Sequence, residues 1–414
     1  MPRIQTLDAW LAYRDFRFLW TANFCSNTAH WLQLLTLGWL VRHLSLDMEQ
    51  SALLVVGIGG TASLPSIILG PWGGVLGDRL DRRRLAMFLE LAMFCLAFTF
   101  AWVVKFDVVV VWHVYLYAFV AGCCESIKMP VRHALIANTV SSDSLSNAFT
   151  TSVLTIPGTR MIGPFIGGLL VTSLGFFWNF TIEALLYLAV FISLLPMKTP
   201  FTGPRNTSQS FGISGIFKDL VDGIKYLWKK QRVLTLLFFL SSAPNIVCHP
   251  LLFLLPVYIS EVLGRGADYG GYMLSLNGVG GFFMVLAMSA FGFPKRRGLL
   301  CVLSALASAI LTLLMGLSMW LFMAFMVVTL FGATQTLFRT TNGVLTQTLV
   351  DDGYRVRTNG VYQMGMGMVI FISLFVGWVA GQTSVNFVLV AMGILAIIIS
   401  CAFLFGSKLV RNQP

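Results

Sequence analysis

Charge is scarce in this sequence: only 11% of its 414 residues are Asp, Glu, Lys or Arg, less than half the share usual in soluble globular proteins. That shortage excludes a soluble chain. Acids are fewest, 17 against 28 Lys and Arg, and there are only 5 histidines. His30, His43, His113, His133 and His249 show no metal-ligand spacing. The HExxH and Gly-x-Ser-x-Gly patterns are missing, which argues against an enzyme such as an intramembrane hydrolase. No Gly-x-x-x-x-Gly-Lys phosphate loop is present, so this chain is not expected to hydrolyse ATP, and no cofactor is expected. Cys25, Cys95, Cys123, Cys124, Cys248, Cys301 and Cys401 lie in or beside apolar runs, with no Cys-x-x-Cys pair and an odd total. Free thiols are the expectation. The polar opening, Met1 to Arg17, is followed by an apolar run without a small-residue cleavage site, so no removable signal peptide is expected.

What is present is apolar: 57% hydrophobic residues and a mean hydropathy of +0.80. A spanning helix needs about 20 apolar residues. The runs are continuous and do not alternate every second residue, which disfavours a β-barrel. Spans are expected at 16–41, 51–77, 85–104, 108–131, 146–174, 176–195, 233–262, 269–293, 299–318, 320–341, 359–382 and 385–407. The fold class is an all-α membrane protein with twelve transmembrane helices.

The net charge of +11 comes from short basic clusters between the spans, so it signals topology and not a nucleic-acid partner. With both termini cytoplasmic, only Arg42, Lys105 and Arg265 fall on the opposite side, and Arg160 inside a span. All other basic residues, Lys128, Arg132 and Arg339 included, are assigned to the cytoplasmic side. The longest polar stretch divides the chain into an N-terminal six-helix bundle (1–195), a cytoplasmic linker (196–232) with an amphipathic piece from Phe217 to Trp228, and a C-terminal six-helix bundle (233–414). Asp78-Arg-Leu-Asp-Arg-Arg-Arg84 follows the second span and Pro294-Lys-Arg-Arg-Gly298 the eighth, about half a chain later. A duplication accounts for both, and duplicated halves are the usual construction of secondary transporters.

The run Gly74-Val-Leu-Gly-Asp78-Arg79-Leu-Asp-Arg82-Arg83 resembles the loop signature between helices two and three of the major facilitator superfamily, with Asp81 where a second Gly is usual. Arg160-Met-Ile-Gly163-Pro164-Phe-Ile-Gly167-Gly168 resembles its helix-five antiporter motif. Arg14-Asp-Phe-Arg-Phe-Leu-Trp20, Ser26-Asn27, Trp31-Leu-Gln33, Pro130-Val-Arg132-His-Ala134-Leu135, Leu145-Ser-Asn-Ala148, Leu255-Pro256-Val-Tyr258 and Tyr269-Gly270 are similar to the branch of enterobactin exporters and macrolide efflux proteins. Arg355-Val-Arg357 departs from that branch's Arg-Gly-Arg. The resemblance implies two pseudo-symmetric six-helix bundles working by alternating access as a monomer in a bacterial inner membrane. Its partners would be a small-molecule substrate, protons and membrane lipids, with no nucleic acid. Gly74, Asp78, Arg79, Arg82 and Arg83 would form a latch, against the plainer reading of a solvated basic loop. Gly163, Pro164, Gly167 and Gly168 would gate and tilt the direction toward efflux, against the plainer reading of packing glycines.

Ionisable groups inside spans are costly, about 3 kcal/mol each on insertion scales, and need a partner or a task. Glu183 is expected to carry a proton, to pair statically with Arg160, or to face solvent. Glu125 joins the proton-coupling candidates, although it and Glu90 lie nearer the cytoplasmic ends, within reach of Arg79, Arg82 or Arg132. Glu261 is expected to be solvated at an outer helix end. Asn23, Asn27, His30 and Trp31 share a face of the first helix. Asn245 and His249 are spaced i, i+4 on the seventh, where Pro244, Pro250 and Pro256 break its regularity. Helices one, four, seven and ten line the cavity in the superfamily, so these six residues are candidate substrate contacts. The alternative is interhelical hydrogen bonding. Gln335 and Arg339 are also spaced i, i+4, with Arg339 placed at the cytoplasmic end.

The 34 Phe, 18 Met and 11 Trp suit a cavity for bulky amphipathic solutes. The expected function is proton-coupled efflux of small amphipathic or lipophilic molecules of the drug or siderophore type. The alternatives are an uptake carrier or lipid flippase of the same fold, and a transition-metal transporter using Cys248, His249 and His30.

Overall fold

The computed structural model describes residues 8–46, 48, 50–153, 155–200, 225, 228, 232–291, 296–350 and 369–413. These form twelve successive helical rods and, among the described residues, no strand. They are α1 (Arg14–Leu44), α2 (Ser51–Arg79), α3 (Arg82–Lys105), α4 (Val111–Thr139), α5 (Leu145–Val153 and Thr155–Ser173), α6 (Phe176–Leu194), α7 (Arg232–Ser242, then Leu251–Glu261 after a break), α8 (Ala267–Phe291), α9 (Arg297–Leu317), α10 (Leu321–Leu349), α11 (Val369–Gln382) and α12 (Val385–Gly406). Each falls on an expected span. Residues 359–368 of the expected eleventh span and nearly all of the linker lie outside the described residues. Eight described helices are long and apolar enough to cross a membrane by length and composition, and α11 is a shorter apolar helix. Two that miss that test, α1 and α4, carry the polar side chains described below.

Local chemistry sets the ends. Asp81 caps α3, its Oδ1 accepting from the Arg84 backbone N–H at 3.0 Å, so the acid that replaces the usual glycine starts a helix. Gly175, at φ +83°, turns the chain between α5 and α6, a conformation that side chains with a Cβ rarely adopt. Helix α7 breaks where the sequence places its prolines. Pro244 and Pro250 lack an N–H, and a π-turn forms over Ala243–Val247 with Cys248 N–H donating to the Ala243 carbonyl at 3.0 Å.

The packing repeats between halves. Helix α3 packs on α6 as α9 does on α12, and α2 packs on α4 as α8 does on α10. The halves meet through α5 against α8 and α2 against α11, again a symmetric pair. The start of α1 and the segment after α12 reach one face of the bundle: Lys198 N–H donates to Asp15 beside the start of α1, and Gly298 N–H to the Gln413 carbonyl. We call this the near face.

Toward the opposite, far face, one apolar core runs through both halves, with Leu40, Val56 and Tyr117 joined to Leu254, Tyr258 and Met315. Toward the near face the core divides. Phe16, Leu19, Val131 and Leu194 cluster in the N-terminal half, and Leu234, Leu237, Val302 and Phe338 in the C-terminal half. The first part of α7 packs chiefly within its own half among the described residues, whereas the second part touches α1 and α2. At Gly70, Gly158 and Gly343 an added Cβ would meet nothing within 4 Å. The halves are therefore closed at the far face and apart toward the near face.

Candidate functional site

Two matching pincers occupy corresponding places in the two halves. On α4, Arg132 donates from Nε to Asn23 Oδ1 at 2.7 Å and from Nη2 to Asn27 Oδ1 at 3.0 Å, both on α1. On α10, Arg339 donates from Nε to Asn245 Oδ1 at 3.2 Å, and its Nη2 lies 3.3 Å from Nδ1 of His249, both on α7. A guanidinium only donates, so His249 accepts at Nδ1 and carries its hydrogen on Nε2. The i, i+4 spacing of Asn23 with Asn27 and of Asn245 with His249 puts each pair under one arginine. The π-turn adds a residue to the helical turn before His249, which brings this face toward α10. Asn23, Asn27, Asn245 and His249 thus make interhelical bonds, and solvent reaches Arg339 beside them.

Lys128, Arg132 and Arg339, counted by charge on the cytoplasmic side, lie within α4 and α10, and Lys128 is 0% exposed. Charge counting missed them because the positive-inside rule scores a residue by chain position and not by which way its helix turns it. The spacing held the signal, since Lys128 precedes Arg132 as Gln335 precedes Arg339 in the matching helix.

Lys128 is held by acids of two helices. Its Nζ lies 2.9 Å from Glu125 Oε2 on α4 and 3.3 Å from Glu90 Oε1 on α3. It also donates to Ser26 Oγ on α1 at 3.1 Å and sits 5.1 Å from the Tyr187 ring on α6. Ser26 donates to Glu90 at 3.0 Å, and Arg132 stands 4.0 Å from Glu125. Of the partners expected for Glu90 and Glu125, Arg132 is near Glu125, and the Arg79 side chain lies outside the described residues. Arg82 instead donates to Asn138 at 3.0 Å. His30 on α1 lies within electrostatic reach of Glu125, Lys128 and Arg132.

Glu183 and Arg160 do not pair. Glu183 is 0% exposed on α6, accepts from the Tyr117 hydroxyl on α4 at 2.6 Å, and has no partner for Oε2. It faces the interior of the N-terminal half. Arg160 on α5 points toward the division between halves, its guanidinium 4.6 Å above the Trp31 ring on α1. It is 8% exposed, its Nε lacks a partner, and among the described residues it makes no hydrogen bond or ion pair. Helical position separates the two: α5 and α6 are neighbours, but the residues occupy opposite sides of them.

The helix-five motif lines two crossings. A Cβ on Gly163 would lie 2.8 Å from the Thr28 carbonyl oxygen of α1, and one on Gly167 3.1 Å from Leu35. A Cβ on Gly271 of α8 would lie 2.5 Å from the Pro164 carbonyl oxygen, and one on Gly168 2.8 Å from the Gly271 Cα. Gly168 therefore sits on the seam between halves. Of the loop signature, Arg83 caps the end of α6, donating to Leu194 O at 2.9 Å and to Leu195 O. Gly74, Asp78 and Arg79 belong to α2, but their side chains lie outside the described residues. Glu261, expected to be solvated, instead pairs with Arg42 across the halves at 3.1 Å. Cys248 is buried, and among the described residues no group of three His, Cys, Asp or Glu could hold a metal ion.

Residues 6–413 match the family described as transmembrane secretion effector. The staphyloferrin A transporter of Staphylococcus aureus is 23% identical over 406 residues, covering 95% of this chain and 96% of the relative. The enterobactin exporter EntS of Shigella flexneri is 24% identical over 345 residues, covering 79% and 78%. Among solved structures, a POT family transporter in complex with a thioalcohol-conjugated peptide superposes with a TM-score of 0.76 at 11% identity, covering 96% of each chain. The nucleoside transporter NupG gives 0.70 at 14%, covering 95% and 100%. At those identities the likeness is one of fold.

Proposed function

The chain belongs to the transmembrane secretion effector family of major facilitator transporters, and from that membership we propose that it expels small amphipathic or lipophilic molecules in exchange for protons. The names of two relatives point to siderophores as one substrate class, and one of them is named an exporter. The excess of basic residues on the near face supports a cytoplasmic near face in a bacterial inner membrane, with both termini inside. In that orientation the described state is open to the cytoplasm, ready to load a solute for export.

One observation carries the coupling: Glu183 is a fully buried carboxyl group with one hydrogen bond, to Tyr117, and an oxygen left without a partner. A charge so placed is expensive unless a proton neutralises it. Glu90 and Glu125 are balanced by Lys128 and are the poorer carriers. When the halves rock to open the far face, α4 and α6 change their exposure to water, and Glu183 exchanges its proton with the side that has become wet.

The test is proton movement in inside-out vesicles, followed with a pH-sensitive dye while siderophores, macrolides, lipophilic cations and lysolipids are added in turn. Dissipation of the gradient by one class, abolished in Glu183→Gln, supports exchange. If a labelled solute moves down its own gradient and no class moves protons, the protein is a facilitator and Glu183 is structural.

A further inference from the structure

Resting on the transport function proposed above, we infer that the cavity between the halves holds a binding subsite for an anionic group, a carboxylate or its equivalent on an aromatic solute, between Arg160, Arg339 and His249.

Three observations carry it. Arg160 is more than nine-tenths buried and has neither a hydrogen bond nor an ion pair among the described residues; its guanidinium lies over the Trp31 ring. Arg339, from the other half, is held by Asn245 and His249, both neutral, and leaves donors free on a side chain that solvent reaches. The two guanidinium groups lie close enough to repel each other, and His249 feels both. Two like charges therefore face a shared space with no fixed counter-charge among the described residues. Nearby acids do not supply one: Glu90 and Glu125 are committed to Lys128, and Glu183 to Tyr117. The described acids of the C-terminal half, Glu261 and Asp268, lie at the far-face ends of α7 and α8.

An uncompensated pair of cations at membrane depth is costly, and its mutual repulsion holds the halves apart. A carboxylate between them reverses the sign of the interaction. It receives forked N–H donors from each arginine and a further one from His249 Nε2, the atom left to carry hydrogen when Nδ1 accepts from Arg339. Trp31 and Phe253, the latter with its ring 5.6 Å from that of His249, offer aromatic faces for the rest of the solute. Because Arg160 belongs to one half and Arg339 to the other, the bound anion draws the two together. Binding thus favours closure of the near face, which couples loading to the transport cycle. Arg132 is the poorer anion site, because Asn23 and Asn27 take its Nε and Nη2 and the Glu125 carboxylate stands 4.0 Å from its Nη1, a negative charge that neither Arg160 nor Arg339 has beside it among the described residues.

The experiment measures equilibrium dialysis of radiolabelled 2-naphthoate, 2-naphthamide and 2-naphthylmethylammonium against the full-length protein in lipid nanodiscs. The expected result is saturable binding of the carboxylate, at least tenfold weaker binding of the amide and none of the ammonium. Arg160→Gln and Arg339→Gln should each weaken naphthoate binding at least tenfold, and Arg160→Lys should recover part of it. Equal binding of carboxylate and amide by the unmodified protein overturns the inference without any variant, so a misfolded substitution cannot shelter it. Naphthoate binding unchanged in Arg339→Gln also overturns it. A parallel flux assay separates this inference from the function it rests on. Naphthoate binding with the stated arginine dependence but no proton-linked flux supports the subsite and counts against the exchange. Proton-linked flux that treats amide and carboxylate alike supports the exchange and overturns the subsite.

Discussion

Arg42 on α1 and Glu261 on α7 form an ion pair at 3.1 Å that joins the two halves at the far face. Arg42 is also braced by Ser51 at 2.7 Å and by Ser260 at 3.1 Å, the latter again across the halves. The Glu261 side chain is 44% exposed, so solvent screens the pair and its worth is at most about 1 kcal/mol. That is enough to shift a balanced two-state equilibrium several-fold. Glu261→Gln should raise far-side labelling of a cysteine at Leu34, in a background cleared of native cysteines, by an impermeant maleimide about two- to five-fold. Unchanged labelling would remove the pair from the far gate.

Glu183→Gln should abolish substrate-driven proton movement while leaving solute exchange at equal pH intact. The amide preserves shape and can still accept from Tyr117, so the fold persists. Tyr117→Phe removes the one bond to Glu183 and should slow proton-linked transport without eliminating it. If Glu183→Gln transports with full proton linkage, the carrier is elsewhere.

Lys128→Met should lower the melting temperature in detergent strongly. It strands Glu90 and Glu125 in a buried site without their cation, a loss of about 3–5 kcal/mol for a broken buried pair. Adding Glu90→Gln to Lys128→Met should recover a measurable part by removing one stranded charge. Failure of the double substitution to recover anything would show that Lys128 acts through packing against Tyr187.

Gly168→Leu should block closure of the far face, because even a Cβ there would approach the Gly271 Cα to 2.8 Å, backbone that cannot rotate away. Transport should fall at least tenfold, and far-side labelling at Leu34 should rise as in Glu261→Gln. Gly158→Ala, in open space on the same helix, is the control and should leave both unchanged.

How much of this was legible before folding varies by residue. The positions of α1 to α12 followed from long apolar runs, which a bilayer forces into helices whatever their neighbours. The breaks in α7 followed from Pro244 and Pro250, whose missing N–H is a local fact. The shared faces of Asn23 with Asn27 and Asn245 with His249 followed from helical spacing. Their partner arginines did not, since charge counting places Arg132 and Arg339 on the cytoplasmic side without saying what they touch. Glu183 stands out in the sequence as a charge inside a span, but helical position along one chain does not choose between proton carriage, a pair with Arg160 and a solvent-facing place. The bond from Tyr117 of α4 to Glu183 of α6 is set by how the helices pack.

The sequence by itself determined what each helix is, where it turns and which side chains share its face, because those depend on chain-local geometry and on transfer from water to lipid. Only the tertiary structure decided which charges are satisfied. Rotation of each helix about its axis commits Glu90 and Glu125 to Lys128 and gives Glu183 a tyrosine. It leaves Arg160 against the Trp31 ring with neither a hydrogen bond nor an ion pair among the described residues. That rotation is set by how twelve rods pack through Gly163, Gly167, Gly168 and Gly271, a property of pairs of surfaces that no single stretch of chain encodes.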